Sequence, residues 1–105
     1  MNDPQWVEAA RKLGERAVKA APGREARLDF LARTTLARSL GKTELEALDR
    51  SAAKIATRLQ ADPAGAKDLL AVGESKSDPA IAPGELAEWT LIASQFLNLD
   101  EFLNK

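Results

Sequence analysis

Residues 84–105 read GELAEWTLIASQFLNLDEFLNK, and the pattern in this stretch decides the fold. At about 100° per residue, Leu86, Trp89, Ile92, Ala93, Phe96, Leu97, Leu99 and Leu103 fall on one broad arc. Glu88, Gln95, Asn98 and Glu101 point elsewhere, while Leu91 and Phe102 make the segment apolar on more than one side. A helix of that kind is buried among neighbours on several faces. The expectation is an all-α single domain over residues 1–105, an irregular bundle of four to five helices around a buried C-terminal helix. Asp100 falls on the apolar arc, which predicts a break near Asn98 and a short last turn capped by Asp100.

Upstream, punctuation residues divide the chain. Asp3-Pro4 is an N-cap candidate followed by proline at the first helical position. Trp6, Ala10, Leu13, Ala17 and Ala20 then form one stripe at three-four spacing, with Val7 and Val18 beside it, up to Pro22-Gly23. Glu8/Lys12 and Glu15/Lys19 are i,i+4 pairs in the favoured order. A second helix is predicted from about Arg24 to Ser39, with Leu28, Phe30, Leu31, Ala32, Leu36 and Leu40 as core candidates, Asp29/Arg33 as a pair and Gly41 as its C′ residue. Thr43 and Glu46 have capping-box spacing ahead of Leu45, Leu48, Ala52, Ile55 and Leu59, a seam too short for a coiled coil and suited to a bundle. Asp62-Pro63 opens a short fourth helix holding Leu69, Leu70 and Val72, closed by Gly73. Residues 73–83, GESKSDPAIAP, form the one long loop, with Ile81 as its apolar pin.

Composition narrows the function classes. Leu and Ala supply most of the apolar content, and the scarcity of β-branched and aromatic residues favours helix over sheet. The formal net charge is −1, so no overall bias points to nucleic acid or membrane. Residues 1–60 nevertheless carry 12 basic and 8 acidic side chains, net +4, against 3 and 8, net −5, in residues 61–105. The expected use of this asymmetry is attraction between helix surfaces across the fold. Cys and His are absent from the chain, which excludes disulfides, thiolate chemistry, the usual zinc sites and covalent haem attachment. No stretch approaches the roughly 18 apolar residues of a membrane span, and no signal-peptide pattern opens the sequence.

The chemistry-bearing candidates are oxygen-rich. Glu74, Asp78, Glu85 and Glu88 cluster around the loop and the last helix start, and Asn98, Asp100 and Glu101 form a second run. Calcium needs six to eight converging oxygens, and the EF-hand spacing is absent; caps and solvated carboxylates are the expected roles. Nothing supplies a nucleophile with its base, and the glycines lack phosphate-loop spacing. No catalytic, metal or cofactor-binding residue is assigned to this chain. A basic face on the first three helices (Arg11, Lys12, Arg16, Arg27, Arg33, Arg38, Lys42, Arg50, Lys54 and Arg58) is the argument for nucleic acid, weakened by interleaved acids and the lack of a recognition pattern. Trp6 and Trp89 lie on apolar stripes, where core is the expected role.

The segments NDPQWVEAARKLGERA, RLDFLARTTLARSLGKTELEAL and AVGESKSDPAIAPGELAEWTLIASQFLNLDEFLNK resemble the C-terminal part of the planctomycete domain-of-unknown-function 1553 family. The positions that carry the resemblance are Asn2 to Arg11, Gly73-Glu74, Asp78-Pro79, Glu85-Leu86-Ala87, Trp89-Thr90, Leu97 to Glu101, and Lys105. It spans essentially the whole chain. One departure is Ser39-Leu40-Gly41-Lys42, where relatives often carry a proline-containing turn. The resemblance implies a domain excised from the C-terminus of a large exported parent, periplasmic or at the cell surface, with any haem in an upstream cytochrome c-type domain. It assigns no catalytic residue here.

The leading expectation is a non-catalytic C-terminal helical module that packs on, or positions, the upstream domains of the parent. Glu74, Asp78, Glu85, Trp89, Asn98 and Asp100 are its candidate interaction or motif positions. One alternative makes Glu74, Asp78 and Glu85 part of a composite active site; another binds nucleic acid through the basic face.

Overall fold

The computed structural model describes residues 4–72 and 76–103, with side chains through residue 99. Five helices follow one another: α1 (Pro4–Ala20), α2 (Arg24–Leu36), α3 (Lys42–Ala61), α4 (Pro63–Leu70) and α5 (Pro83–Leu103). No strand occurs among the described residues. α5 packs against all four of the others and most extensively against α1. Its 21 residues, at about 1.5 Å each, come close to the 34 Å long axis of the molecule. The amphipathic arc explains why: Leu86, Trp89, Ile92, Ala93 and Phe96 are all buried.

The core has two connected parts. The larger joins Leu13 and Ala17 of α1, Leu28, Leu31 and Ala32 of α2, and Ala52 and Ile55 of α3 to Trp89, Ile92, Ala93 and Phe96. The smaller collects Ala66 and Leu70 of α4 with Ile81, Leu86 and Ala87. Ile81 therefore pins the loop as expected, and half-buried Val18 and Leu59 pack against both parts. α1 and α5 approach closely at Gly14. A Cβ there would lie 2.9 Å from the Trp89 carbonyl carbon and oxygen and 3.0 Å from the Thr90 nitrogen. Only a residue without a side chain permits that approach.

Helix ends depart from expectation in several places. α5 is continuous through residues 98–100 and does not break near Asn98. Asn and Asp lower helix propensity by only a fraction of a kcal/mol, too little to interrupt a helix held by packing. α2 stops at Leu36, short of Ser39, and its left-handed cap is Ala37 (φ 59°, ψ 27°), not Gly41. Gly41 is extended (φ −73°, ψ 164°) and serves as N-cap of α3. The α3 cap is consequently not the Thr43/Glu46 box. Glu44 Oε1 accepts from the Gly41 amide at 2.9 Å, while Arg38 holds both Glu44 oxygens at 2.9 and 2.8 Å. With Gly41 as N-cap, Glu44 occupies N3, the position that reaches back to the cap amide, and the two-pronged Arg38 contact holds it there.

Other signals hold. The Asp62 carboxylate accepts from the Gly65 amide at 3.0 Å and Pro63 opens α4. α1 begins at Pro4, and its expected cap Asp3 lies outside the described residues, as does Gly73 at the expected end of α4. Trp6 is half-buried, its indole Nε1 donating to Ser94 Oγ at 3.1 Å. Among the described residues, no helix is long and apolar enough to cross a membrane.

Candidate functional site

The candidate carboxylates separate into local partnerships. Asp78 is half-buried and reaches Lys19 Nζ at 2.5 Å; its Oδ1 accepts from the Ala80 amide at 2.8 Å. The Lys19 hydrogen bond, then the Ala80 amide, hold its carboxyl below the ordinary aspartate range. Its own amide donates to Glu15 Oε2 at 2.7 Å. Glu15 and Lys19, expected to pair with each other, thus grip the loop from the last turns of α1. Glu85, at the start of α5, pairs with Arg27 of α2 at 3.1 Å. Asn98 is exposed on α5. Glu74 and the Asp100 side chain lie outside the described residues.

Trp89 is 2% exposed, and the Arg27 guanidinium stacks 5.4 Å from its ring centroid. The same guanidinium donates through Nε to the Ala21 carbonyl at 2.6 Å. Arg27 thereby joins the α1–α2 turn, the first turn of α5 and the largest core ring. Arg24 lies 3.9 Å from Glu88. Burial raises the Glu88 carboxyl above its usual range, and the neighbouring Glu85 charge adds to this while Arg24 opposes it. Glu88 is therefore the described carboxyl shifted in the direction a general acid needs. It has no second acid poised beside it, since Glu85 is committed to Arg27. No group of three or more Asp or Glu side chains forms a metal cage among the described residues.

The basic face is smaller than its sequence suggests. Arg11 is 1% exposed, with Nη1 donating to the Leu70 carbonyl at 2.9 Å and to Val72 at 3.3 Å. A cation against the carbonyl end of α4 is favoured by the helix dipole, so Arg11 docks α4 onto α1. Arg27 is buried, Arg33 pairs with Asp29 at 2.8 Å, and Arg38 with Glu44. Arg16 stacks 5.5 Å from the Phe30 ring centroid. Lys12, Lys42, Arg50, Lys54 and Arg58 remain exposed. A sequence signal for the buried pair existed in part. Arg27 precedes Leu28 and stands one turn before Leu31, on the buried stripe of α2, and Arg11 follows Ala10 three residues before Gly14.

Open grooves flank α3. One, of about 630 Å³, lies between the start of α2 and the α2–α3 connection, where Leu40 and Leu45 meet Gly23, Arg24 and Asp29. Another, of about 440 Å³, is mostly apolar and runs between Leu59, Pro63, Ala66 and Pro83. The first groove is lined by the charged side chains Arg24, Glu25 and Asp29, the second by Lys67. Comparison of the chain with protein-family models, with curated proteins and with solved structures returns no match.

Proposed function

We propose that this chain is a non-catalytic helical docking module that packs on, or positions, other domains of a larger exported protein of the kind its motifs resemble. The observation that carries the reading is the commitment of its candidate carboxylates to the fold. Asp78 ties the loop to α1 and Glu85 ties α5 to α2. α3 supports the same reading. Only Ala52 and Ile55 of its 20 residues are buried; Leu45, Leu48 and Leu59 are half-buried, and Leu45 and Leu59 line open grooves. An element so lightly covered has surface to give to a partner.

The test is titration of this chain into the separately expressed domains that precede it in the parent gene, followed by calorimetry. Binding is the expected result, and no binding up to about 100 μM overturns the reading. The composite-site alternative requires Glu74, Asp78 or Glu85 in chemistry, so Asp78→Asn or Glu74→Gln in the full-length parent would abolish its activity. On the docking reading both variants keep it.

A further inference from the structure

We infer that the exposed face of the C-terminal half of α3 is a docking surface for an acidic helical segment of a partner protein. This rests on the docking-module reading above and names the chemistry of the partner. Arg50, Lys54 and Arg58 recur every four residues, and all three are exposed. None has a carboxylate within ion-pair distance among the described residues, whereas Lys19, Arg24, Arg27, Arg33 and Arg38 each reach one. Residues 50–61 contain no acid; the acids of the same stripe stand one turn outside it, Glu46 before Arg50 and Asp62, which caps α4, after Arg58. Like charges at i,i+4 repel along a helix. In the free protein the Arg50–Lys54 and Lys54–Arg58 steps are therefore repulsive, the reverse of how the chain places most of its other arginines.

Geometry selects the partner. Four residues of helix rise about 6 Å, so the three cations extend over about 12 Å of the axis. A second helix with Asp or Glu at i, i+4 and i+8 carries its charges at the same interval and can run alongside in register. Ala53, Thr57 and Ala61 form the neighbouring column and are also exposed; their short side chains let a partner backbone come close. A second copy presenting this same face would set cation against cation. Nucleic acid would meet three cations on a convex rod, with Glu46 and Asp49 just before them. Neutralising about three phosphates leaves little affinity at physiological salt.

The test is an NMR titration of the isotopically labelled chain at low salt. The probes are a capped helical peptide of about six turns with Glu at three successive i,i+4 positions, its Gln counterpart, and a short DNA duplex. Lys54→Glu is the matching variant. It sets an acid one turn from both Arg50 and Arg58, so its Tm rises by about 5 °C and lost binding cannot reflect unfolding. The Glu peptide is expected to shift the amide signals of residues 50–58. The Gln peptide, and the Glu peptide on Lys54→Glu, are expected to bind about tenfold more weakly. Equal binding of the two peptides, shifts confined to other helices, or no saturable binding up to about 1 mM would each overturn the proposal. Tighter binding of the duplex than of the Glu peptide would also overturn it, in favour of a nucleic-acid surface. Should the preceding domains bind wild type and Lys54→Glu equally, the docking module stands and the α3 surface is refuted. Should they bind neither while the Glu peptide binds, the module reading fails and the α3 surface stands.

Discussion

Replacing Gly14 with alanine puts a methyl group where α1 and α5 meet. The added Cβ would lie 2.9 Å from the Trp89 carbonyl, and ordinary contact begins at 3.4 Å, so the helices must separate by about 0.5 Å. The obstructing atoms are backbone, so no rotamer change relieves them. Overpacking of this kind costs about 1–3 kcal/mol, and a gap of that size forfeits roughly a quarter of the dispersion energy of contacts across the interface. Against this, alanine gains about 0.8–1 kcal/mol of helix propensity over glycine. The balance is a destabilisation of about 1–2 kcal/mol, read as a Tm lowered by about 5–15 °C for a domain of this size. Thermal and urea unfolding of Gly14→Ala and Gly84→Ala measure it. A Cβ at Gly84 meets nothing within 4 Å, so that variant is expected to match or slightly exceed the wild type. A Gly14→Ala protein as stable as the wild type would refute the close α1–α5 approach.

Arg27→Met removes the bond to the Ala21 carbonyl and leaves Glu85 without its cation; we expect a loss of about 2 kcal/mol, with Arg27→Lys recovering little because an ammonium lacks the planar fork. Trp6→Phe isolates the buried Trp89, so its fluorescence is expected to be blue-shifted and resistant to acrylamide, whereas Trp89→Phe leaves the half-buried Trp6 and quenches more readily. Arg38, with the Gly41 amide behind it, lowers the Glu44 carboxyl from 4.5 to about 2. A depressed folded-state value means stability present above pH 4.5 and lost as pH falls toward 2, so the deficit of Glu44→Gln at neutral pH is expected to close across that window in acid unfolding curves. Glu88 is shifted the other way by burial. The folded state therefore binds its proton more tightly, stability declines as pH rises through its raised value, and Glu88→Gln is expected to remove that decline.

The sequence marked some helix ends well and others poorly. Asp62-Pro63 and Pro83 were legible because a carboxylate cap and a fixed φ act within three or four residues. Thr43 and Glu46 have the right local spacing, yet α3 starts two residues earlier, with Gly41 as N-cap and Glu44 at N3, where Arg38 from the preceding connection holds it. Local spacing does not record which of two overlapping N-cap positions the preceding connection will select. The expected break at Asn98 failed for a related reason. It weighed the polarity of Asn98 and Asp100, while the energy that continues α5 resides in packing against other helices.

The candidate site was legible as residue types but not as relationships. The opposite charges of the two parts of the chain do meet across the fold, at Lys19–Asp78, Arg24–Glu88 and Arg27–Glu85. Which cations would remain outside could not be read from a net charge. Arg11 and Arg27 leave the basic face because a helix end and an aromatic ring wait for them in the core, and Arg50, Lys54 and Arg58 stay exposed with no ion pair among the described residues.

By itself, the sequence determined that this chain is helical, where most of its helices start, and that the Trp89 helix is the centre. These follow from apolar periodicity and backbone stereochemistry, which act between residues a few positions apart. Only the tertiary structure decided that α1 and α5 come within touching distance of each other's backbone at Gly14, that two arginines are interior, and that Asp78 and Glu85 are held by Lys19 and Arg27. Each depends on groups about 60 or more residues apart in the chain, and their meeting is settled by how five helices share one core.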